Sequence, residues 1–172
     1  FAMVVETGLG SGYRDFRNIR LHTFPGPRLP SQIWRAETTA QPATGISPRA
    51  KPNIAAVVLA AGRSRRMAPH NKLLVVDKTG KTMIARVVDN VLSSHARPVL
   101  VVLGHQSEQI EQALAGKPVR FVHATEYAEG LSASLKSGIA AVPEECAAAI
   151  VCLGDMPLVT GRMIDRVLSA YD

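Results

Sequence analysis

Four basic side chains lie within ten positions, directly after an apolar run and three small residues. The small residues are Ala60, Ala61 and Gly62, and the basic residues are Arg63, Arg65, Arg66 and Lys72. Small residues let a ligand approach the backbone and accept hydrogen bonds from its N–H groups. Several cations beside that backbone would neutralise a ligand with several negative charges, such as a triphosphate. The alternative is a solvated basic cluster, and the position directly after an apolar run favours the ligand site.

This basic loop is not a P-loop, because the paired glycines and the Gly-Lys-Ser/Thr of that motif are absent. An acidic residue occupies the matching position after a later apolar run, where Asp155 stands in the sequence Gly-Asp-Met-Pro. A carboxylate there can hold Mg²⁺, and Pro157 would constrain the turn. The alternative is an aspartate that only forms the turn. The basic loop at the same edge of the predicted sheet favours the metal ligand.

Two further loops carry weaker signals. Gly130, Ser132 and Ser134 lie where an apolar run gives way to a helical pattern. A serine there would cap the helix, and the same hydroxyl and backbone groups could also contact a base or a ribose. His105 follows another apolar run, and solvent contact is the favoured interpretation of this lone histidine.

The elements that position these loops follow from the apolar pattern. Residues 54–59, 98–103, 119–123 and 148–153 are apolar runs without polar alternation, which predicts strands buried on both faces. Amphipathic segments alternate with them; the third has its apolar stripe at Leu131, Leu135 and Ile139, and Thr160 is placed to cap the fourth. The alternation predicts an α/β fold, with a doubly wound (Rossmann-like), mostly parallel sheet and helices on both faces. The loops at the carboxyl ends of the strands would then form the ligand site.

Composition limits the partners. The net charge is +6 over 172 residues, and most of the excess lies in residues 1–52, which hold seven Lys/Arg and three Asp/Glu. Only 5% of residues are aromatic, so few side chains could stack on bases, and a nucleic-acid polymer is excluded as a partner. No apolar run is long enough to span a membrane. The two cysteines, Cys146 and Cys152, predict reduced core thiols in a cytoplasmic protein.

The chain divides near residue 53. Residues 1–52 contain six of the eleven prolines and show no sustained helical or strand period. They are predicted to be a linker or tail, partly disordered, with a short strand at residues 2–5. Residues 53–172 are predicted to form the ligand-binding domain.

The stretch LAAGRSRRMAPHNKLL is similar to the LAAGxSxRMGxxNKLL signature of nucleotidyltransferases related to the molybdenum cofactor cytidylyltransferase and guanylyltransferase. The later stretches VVLGH, YAEGLSASLKSGIAAVP and VCLGDMPLV resemble blocks of the cytidylyltransferase branch, in the same order. The resemblance covers residues 54–171. Some members of this branch follow a molybdopterin-binding domain, so such a partner domain is expected, with residues 1–52 as an interdomain remnant.

The resemblance implies a nucleotidyltransferase of the nucleotide-diphospho-sugar transferase type. It would transfer CMP from CTP to the terminal phosphate of molybdopterin or molybdenum cofactor, with Mg²⁺ as cofactor and CTP preferred over GTP. The resemblance also implies a role for each matching residue: the backbone of Leu59, Ala60, Ala61 and Gly62 lies on the nucleotide, Arg66 and Lys72 bind its phosphates, Asp155 binds magnesium, and Gly130 and Ser132 contact base and sugar.

Two departures from the family pattern qualify this expectation. Ala68 stands where most relatives have glycine, so the basic loop would be shaped differently. The sequence also ends at Asp172, before the segment that completes the sheet in relatives, so the domain is expected to be incomplete at its C-terminus. Two alternatives remain open: a nucleotidyltransferase acting on a sugar or alcohol phosphate, and a catalytically silent nucleotide-binding module.

Overall fold

The computed structural model describes residues 52–62 and 70–170, together with the backbone of residues 2–6 and 21–23. The strands are β1 (Ala2–Glu6), β2 (Leu21–Thr23), β3 (Ile54–Leu59), β4 (Val99–Leu103), β5 (Arg120–His123) and β6 (Ala148–Leu153). The helices are α1 (Met83–Leu92), α2 (Ser107–Ala113), α3 (Leu131–Ala140) and α4 (Gly161–Ser169). Two short 3-10 turns occupy Lys72–Leu74 and Tyr127–Glu129.

One six-stranded sheet organises the chain, in the order β2-β1-β6-β3-β4-β5. The four strands from β6 to β5 are parallel, whereas β1 pairs antiparallel with β6 and β2 antiparallel with β1. The doubly wound, mostly parallel sheet is confirmed, and so is the short strand near the N-terminus. After β5 the chain returns past β3 to form β6, so strand order reverses between β3 and β6. Ligands of such sheets bind at that reversal.

Helices cover both faces of the sheet, as expected. Residues of α1, α2 and α4 pack with Ala56 and Val58 in one buried cluster, whereas Ile139 of α3 packs with Ala55 and Val57 in the other. Alternate residues of β3 therefore face two different cores, which explains why the run is apolar throughout.

β5 departs from this pattern. Residues 119–123 were expected to form a strand buried on both faces, and this expectation is wrong, because Arg120 and His123 are exposed. Among the described strands, β5 pairs with β4 alone and lies at the edge of the sheet, so Arg120 and His123 reach solvent.

The helix starts confirm one prediction and correct another. Thr160 caps α4, since its hydroxyl accepts a hydrogen bond from the Met163 N–H (3.4 Å). The predicted serine cap of α3 is wrong: Gly130 precedes the helix with φ 123°, and no side chain caps it. Leu131, predicted to lie in the core, is 63% exposed, because the first turn of α3 lies at the rim of a cavity.

Both cysteines are free and buried, as predicted. Burial raises the pKa of the Cys152 thiol to about 12, so this thiol stays protonated at neutral pH. Among the helices in the described part of the chain, none has the length and apolar character needed to cross a bilayer. The cytoplasmic location and the division at residue 53 remain predictions.

Candidate functional site

A cavity of about 590 Å³ opens at the carboxyl ends of β3 and β6. Its volume falls within the range of about 300–1,000 Å³ that is typical of small-molecule sites. The described residues that line it come from both strand ends and from the loops after β3, β5 and β6: Leu59, Ala61, Gly62, Lys72, Leu73, Tyr127, Ala128, Glu129, Gly130, Leu131, Ser134, Leu153 and Asp155. The cavity therefore lies at the reversal point where the fold predicts a ligand.

Two of the charged residues singled out from the sequence, Lys72 and Asp155, form an ion pair in this cavity. Lys72 Nζ donates a hydrogen bond to Asp155 Oδ2 at 3.1 Å. Each side chain is 43% exposed, so both charged groups can be reached from solvent. Lysine binds phosphate as a point charge, and a carboxylate oxygen is a ligand that hard cations prefer. The pair can therefore bind a metal-bound phosphate, with Lys72 on the phosphate and Asp155 on the metal.

Asp155 is held in place by the glycine before it. Gly154 N–H donates to the Leu59 carbonyl oxygen at 2.9 Å, which ties the loop after β6 to the end of β3. A Cβ added at Gly154 would lie 2.9 Å from that oxygen and 3.1 Å from Ile84 Cδ1. Only glycine lets the loop pass this close, and this approach brings Asp155 to the cavity.

The next residues of the same loop are anchored to α1. The Pro157 carbonyl accepts a hydrogen bond from Asn90 Nδ2 at 2.9 Å. Met156 N–H donates to the Leu153 carbonyl at 3.2 Å and closes the turn around Asp155. Hydrogen bonds on both sides of Asp155 thus hold the backbone from which its side chain starts.

The three small residues after β3 differ in position, because Ala60 belongs to the sheet whereas Ala61 and Gly62 line the cavity. Ala60 is 1% exposed, its N–H donates to the Val102 carbonyl at 2.9 Å, and it is not among the described residues that line the cavity. Its N–H therefore extends the sheet and is not available to a ligand, in contrast to the sequence expectation. Ala61 and Gly62 do line the cavity, as does Leu59, and the contact of this backbone with a nucleotide remains a prediction.

Of the loop before α3, the structure places Gly130 and Ser134 at the cavity, whereas Ser132 is exposed and does not line it. The helical period explains the difference, because positions 130 and 134 share a face and position 132 points away from it. Ser134 is 4% exposed, and its hydroxyl donates to the Gly130 carbonyl at 3.5 Å. The role given to Ser132 remains a prediction, and Ser134 is the serine at the cavity.

Tyr127 is a cavity residue that the sequence analysis did not identify. A Cβ added at Gly104 would lie 2.6 Å from Tyr127 Cγ and 2.9 Å from Ala61 Cβ. The glycine directly after β4 therefore lets the tyrosine pack over the strand end, beside Ala61. A glycine at this position was the available signal for close packing. His105, next in the chain, is not among the described residues of the cavity lining.

Several predicted site residues cannot be placed. Arg63, Arg65, Arg66 and Ala68 lie outside the described residues. The predicted phosphate contacts of Arg66, and the predicted effect of Ala68 on the loop, therefore remain predictions.

The residues present fit a magnesium ion whose remaining ligands would come from substrate phosphates and water. Within residues 52–62 and 70–170, no group of three or more His, Cys, Asp or Glu side chains is arranged to hold a metal by itself. Mg²⁺ is usually bound by one or two carboxylates together with substrate phosphates and water. The exposed carboxylate of Asp155 matches that mode of binding.

The sheet order and this cavity define an α/β protein with a nucleotidyltransferase-like fold. A solved nucleotidyl transferase from Methanothermobacter thermautotroptrophicus has this fold, with a TM-score of 0.63 and 35% identity, over 68% of this chain and 57% of that one. Residues 56–172 match the MobA-like NTP transferase domain, and the chain belongs to that family. Residues 1–62 match the BilD C-terminal domain.

Two other proteins are similar to this chain over about 70% of its length. Rv0371c from Mycobacterium tuberculosis H37Rv is 26% identical with a TM-score of 0.63, over 71% of this chain and 61% of that one. The bifunctional protein GlmU of Anaeromyxobacter sp. (strain K) is 31% identical over 127 residues, which are 72% of this chain and 26% of GlmU. The chain thus spans about a quarter of the length of the curated relatives that it matches.

Proposed function

We propose that this chain is the nucleotide-binding part of a cytidylyltransferase, which transfers CMP from CTP to the terminal phosphate of molybdopterin or molybdenum cofactor and releases pyrophosphate. The observation that carries the proposal is the Lys72–Asp155 pair, which lies in one cavity with an apolar lining and the backbone of Ala61 and Gly62. The charged pair suits a metal-bound triphosphate, and the rest of the lining suits a nucleoside.

The reaction is an in-line displacement at the α-phosphorus of CTP. An oxygen of the acceptor phosphate forms the new P–O bond, and the bond to pyrophosphate breaks with both electrons leaving on pyrophosphate. The acceptor phosphate is already ionised near neutral pH, so no protein base is required. Catalysis is then positioning and charge neutralisation.

The chain supplies two charged groups for this step. Lys72 leaves its contact with Asp155 and binds the phosphates, which neutralises the charge that accumulates on the leaving pyrophosphate. Asp155 would hold magnesium, which when bound would supply further positive charge to the reaction. Arg66 would contribute to the same neutralisation.

The nucleoside end involves Gly130 and Ser134. Gly130 leaves room for close approach, and Ser134 is a buried hydroxyl in the lining. The Ser134 hydroxyl oxygen has two lone pairs, so it can accept a hydrogen bond from a base amino group. We propose CTP over GTP, on the resemblance to the cytidylyltransferase branch.

The second candidate acceptor is a sugar phosphate or an alcohol phosphate. The chain is also similar to the bifunctional protein GlmU. We therefore propose this acceptor class as the alternative to molybdopterin. A molybdopterin-binding partner domain is part of the first proposal, and the sequence resemblance alone supports it. The N-terminal residues 1–62 match the BilD C-terminal domain.

The test has two stages. Thermal-shift titrations with CTP, GTP and UTP, each with and without Mg²⁺, measure base choice; tighter binding of GTP than CTP would contradict the proposed base. Pyrophosphate release is then measured with molybdopterin and with sugar 1-phosphates as acceptors. Release with molybdopterin supports the first candidate, and release only with a sugar phosphate supports the second. A chain that binds nucleotide and releases no pyrophosphate with either acceptor is the silent nucleotide-binding module.

A further inference from the structure

We propose that Asn71 is a positioning residue, whose buried side chain fixes Lys72 opposite Asp155. The significance of Lys72 rests on the proposed function, whereas the positioning itself can be measured in the ligand-free protein.

Asn71 fixes the backbone on both sides of Lys72. It is 6% exposed and precedes the 3-10 turn Lys72–Leu74 in an extended conformation, with φ −88° and ψ 117°. Its side-chain Oδ1 accepts a hydrogen bond from Leu73 N–H at 3.0 Å, and its backbone carbonyl accepts one from Leu74 N–H at 3.0 Å. Lys72 therefore lies in a turn in which Asn71 accepts two hydrogen bonds, one with its side chain and one with its backbone.

The other side of the turn is fixed by packing. Leu73 is 6% exposed and belongs to the core beneath the cavity. Its Cδ2 is 3.5 Å from the position that a Cβ on Gly154 would take, so it packs directly beneath the loop that carries Asp155. The capped turn and the Asp155 loop thus share a contact, which sets the distance between the two backbones.

This arrangement matters for lysine in particular. The ammonium group sits at the end of a flexible four-carbon stem, so its position depends on where the backbone starts the side chain. Lys72 Nζ reaches Asp155 Oδ2 at 3.1 Å from the fixed turn. Without the Asn71 side-chain acceptor the turn loses one of the two hydrogen bonds that Asn71 accepts, and Nζ would sample positions away from the carboxylate.

A matched control is available at the opposite edge of the sheet. Ser94 is also 6% exposed; its hydroxyl donates to the Val91 carbonyl at 2.7 Å and accepts from Ala96 N–H at 3.3 Å. It closes the end of α1 before β4, away from the carboxyl ends of the strands. Ser94→Ala therefore removes a buried turn-closing group without touching the cavity.

The experiment compares Asn71→Ala, Asn71→Ser and Ser94→Ala with the wild-type protein. Competitive acetylation of lysines is measured by mass spectrometry, with exposed Lys78 as internal reference. The acetylation of Lys72 relative to Lys78 reports how strongly the Lys72 amine is restrained. We expect Asn71→Ala to raise Lys72 labelling several-fold and to weaken CTP binding up to about ten-fold, the scale of one lost hydrogen bond. Asn71→Ser restores a side-chain acceptor and should return both values towards wild type.

Two further measurements separate positioning from general destabilisation. Ser94→Ala should lower Tm and leave Lys72 labelling and CTP affinity unchanged. In a Lys72→Ala background, Asn71→Ala should have no further effect on CTP affinity, because the residue through which it acts is gone. If Asn71→Ala does not fold by circular dichroism, Asn71→Gly replaces it, since glycine is tolerated at this position and also lacks the acceptor.

The proposal is overturned if removal of the Asn71 side chain leaves Lys72 labelling at the wild-type level, or if its effect on CTP binding is the same with and without Lys72. A wild-type protein that binds no nucleotide would contradict the proposed function instead. In that case the labelling of Lys72 alone decides whether Asn71 positions it.

Discussion

Lys72 Nζ lies 3.1 Å from Asp155 Oδ2, although the two residues are 83 positions apart in the chain. The contact joins the segment after β3 to the loop after β6, the two strands between which the strand order reverses. With both side chains 43% exposed, such a pair contributes about 0–1 kcal/mol to folding. The pair stabilises the fold little, so ligands can separate it at small cost, and the two charges are then available for phosphate and metal.

Lys72→Ala should lower turnover far more than it lowers stability. Removal of one preorganised charged contact costs roughly 2–4 kcal/mol of transition-state stabilisation, whereas truncation of an exposed side chain changes the free energy of unfolding by about 0.5 kcal/mol or less. Pyrophosphate release and urea denaturation measure the two effects. Lys78→Ala is the control, because Lys78 is exposed and outside the cavity lining. Unchanged turnover would return Lys72 to the role of a solvated surface residue.

Asp155→Asn should keep the fold and remove the dependence of nucleotide binding on magnesium. Asparagine forms the same turn and tolerates the same backbone angles, but it lacks the charge that a hard cation requires. CTP titrations with and without Mg²⁺, on both proteins, give the comparison, and circular dichroism verifies folding. A mutant that retains the full magnesium effect would show that Asp155 only forms the turn.

Gly138→Ala should destabilise the protein, although alanine is the better helix former. The added Cβ would lie 2.6 Å from Val57 Cγ1 and 2.8 Å from Val102 Cγ2, so α3 would have to move off the sheet. Overpacking of this kind costs about 1–3 kcal/mol, against a gain of about 1 kcal/mol in helix propensity. Urea denaturation measures the net loss. Ser137→Ala, at the next position of α3, should change stability much less, and a more stable Gly138→Ala protein would contradict the packing described for α3.

Asp77→Asn should remove an acid-sensitive contribution to stability. Hydrogen bonds from Thr79, and then from Arg86, hold the pKa of the Asp77 carboxyl well below its ordinary value of 3.8. A carboxyl whose pKa is lower in the folded state stabilises the fold fully above its unfolded pKa, and this contribution is lost as the pH falls below that value.

The difference in unfolding free energy between wild type and Asp77→Asn should therefore be constant near neutral pH and shrink below about pH 4. Urea denaturation at about pH 7 and at several values below about pH 4 measures it. Glu144→Gln, which changes an exposed carboxyl outside this network, is the control. A difference that stays the same at every pH would show that Asp77 does not act through its charge.

Much of the fold follows from local pattern. The runs at 54–59 and 148–153 match β3 and β6 residue for residue, because a strand covered on both faces must be apolar throughout. The alternation of such runs with amphipathic segments then dictates a parallel sheet, and a parallel sheet brings its loops to one edge. The pattern therefore predicts that Lys72 and Asp155 lie at the same edge of the sheet, where the structure shows them in one cavity.

What the sequence could not determine depends on neighbours that are distant in the chain. The edge position of β5 depends on which strands pair, and Leu131 is exposed because its turn meets a cavity instead of the sheet.

The sequence by itself determined the kinds of residues available at the site, since residue type and position after a strand are local properties. Only the tertiary structure decided which of them face one another. Ser134 lines the cavity and Ser132 does not. The Ala60 N–H bonds to the Val102 carbonyl and extends the sheet, and the Asn71 side chain caps the turn that carries Lys72. The physical reason is that side-chain direction and hydrogen-bond partners are set when separate elements pack together, and no short stretch of sequence contains both partners.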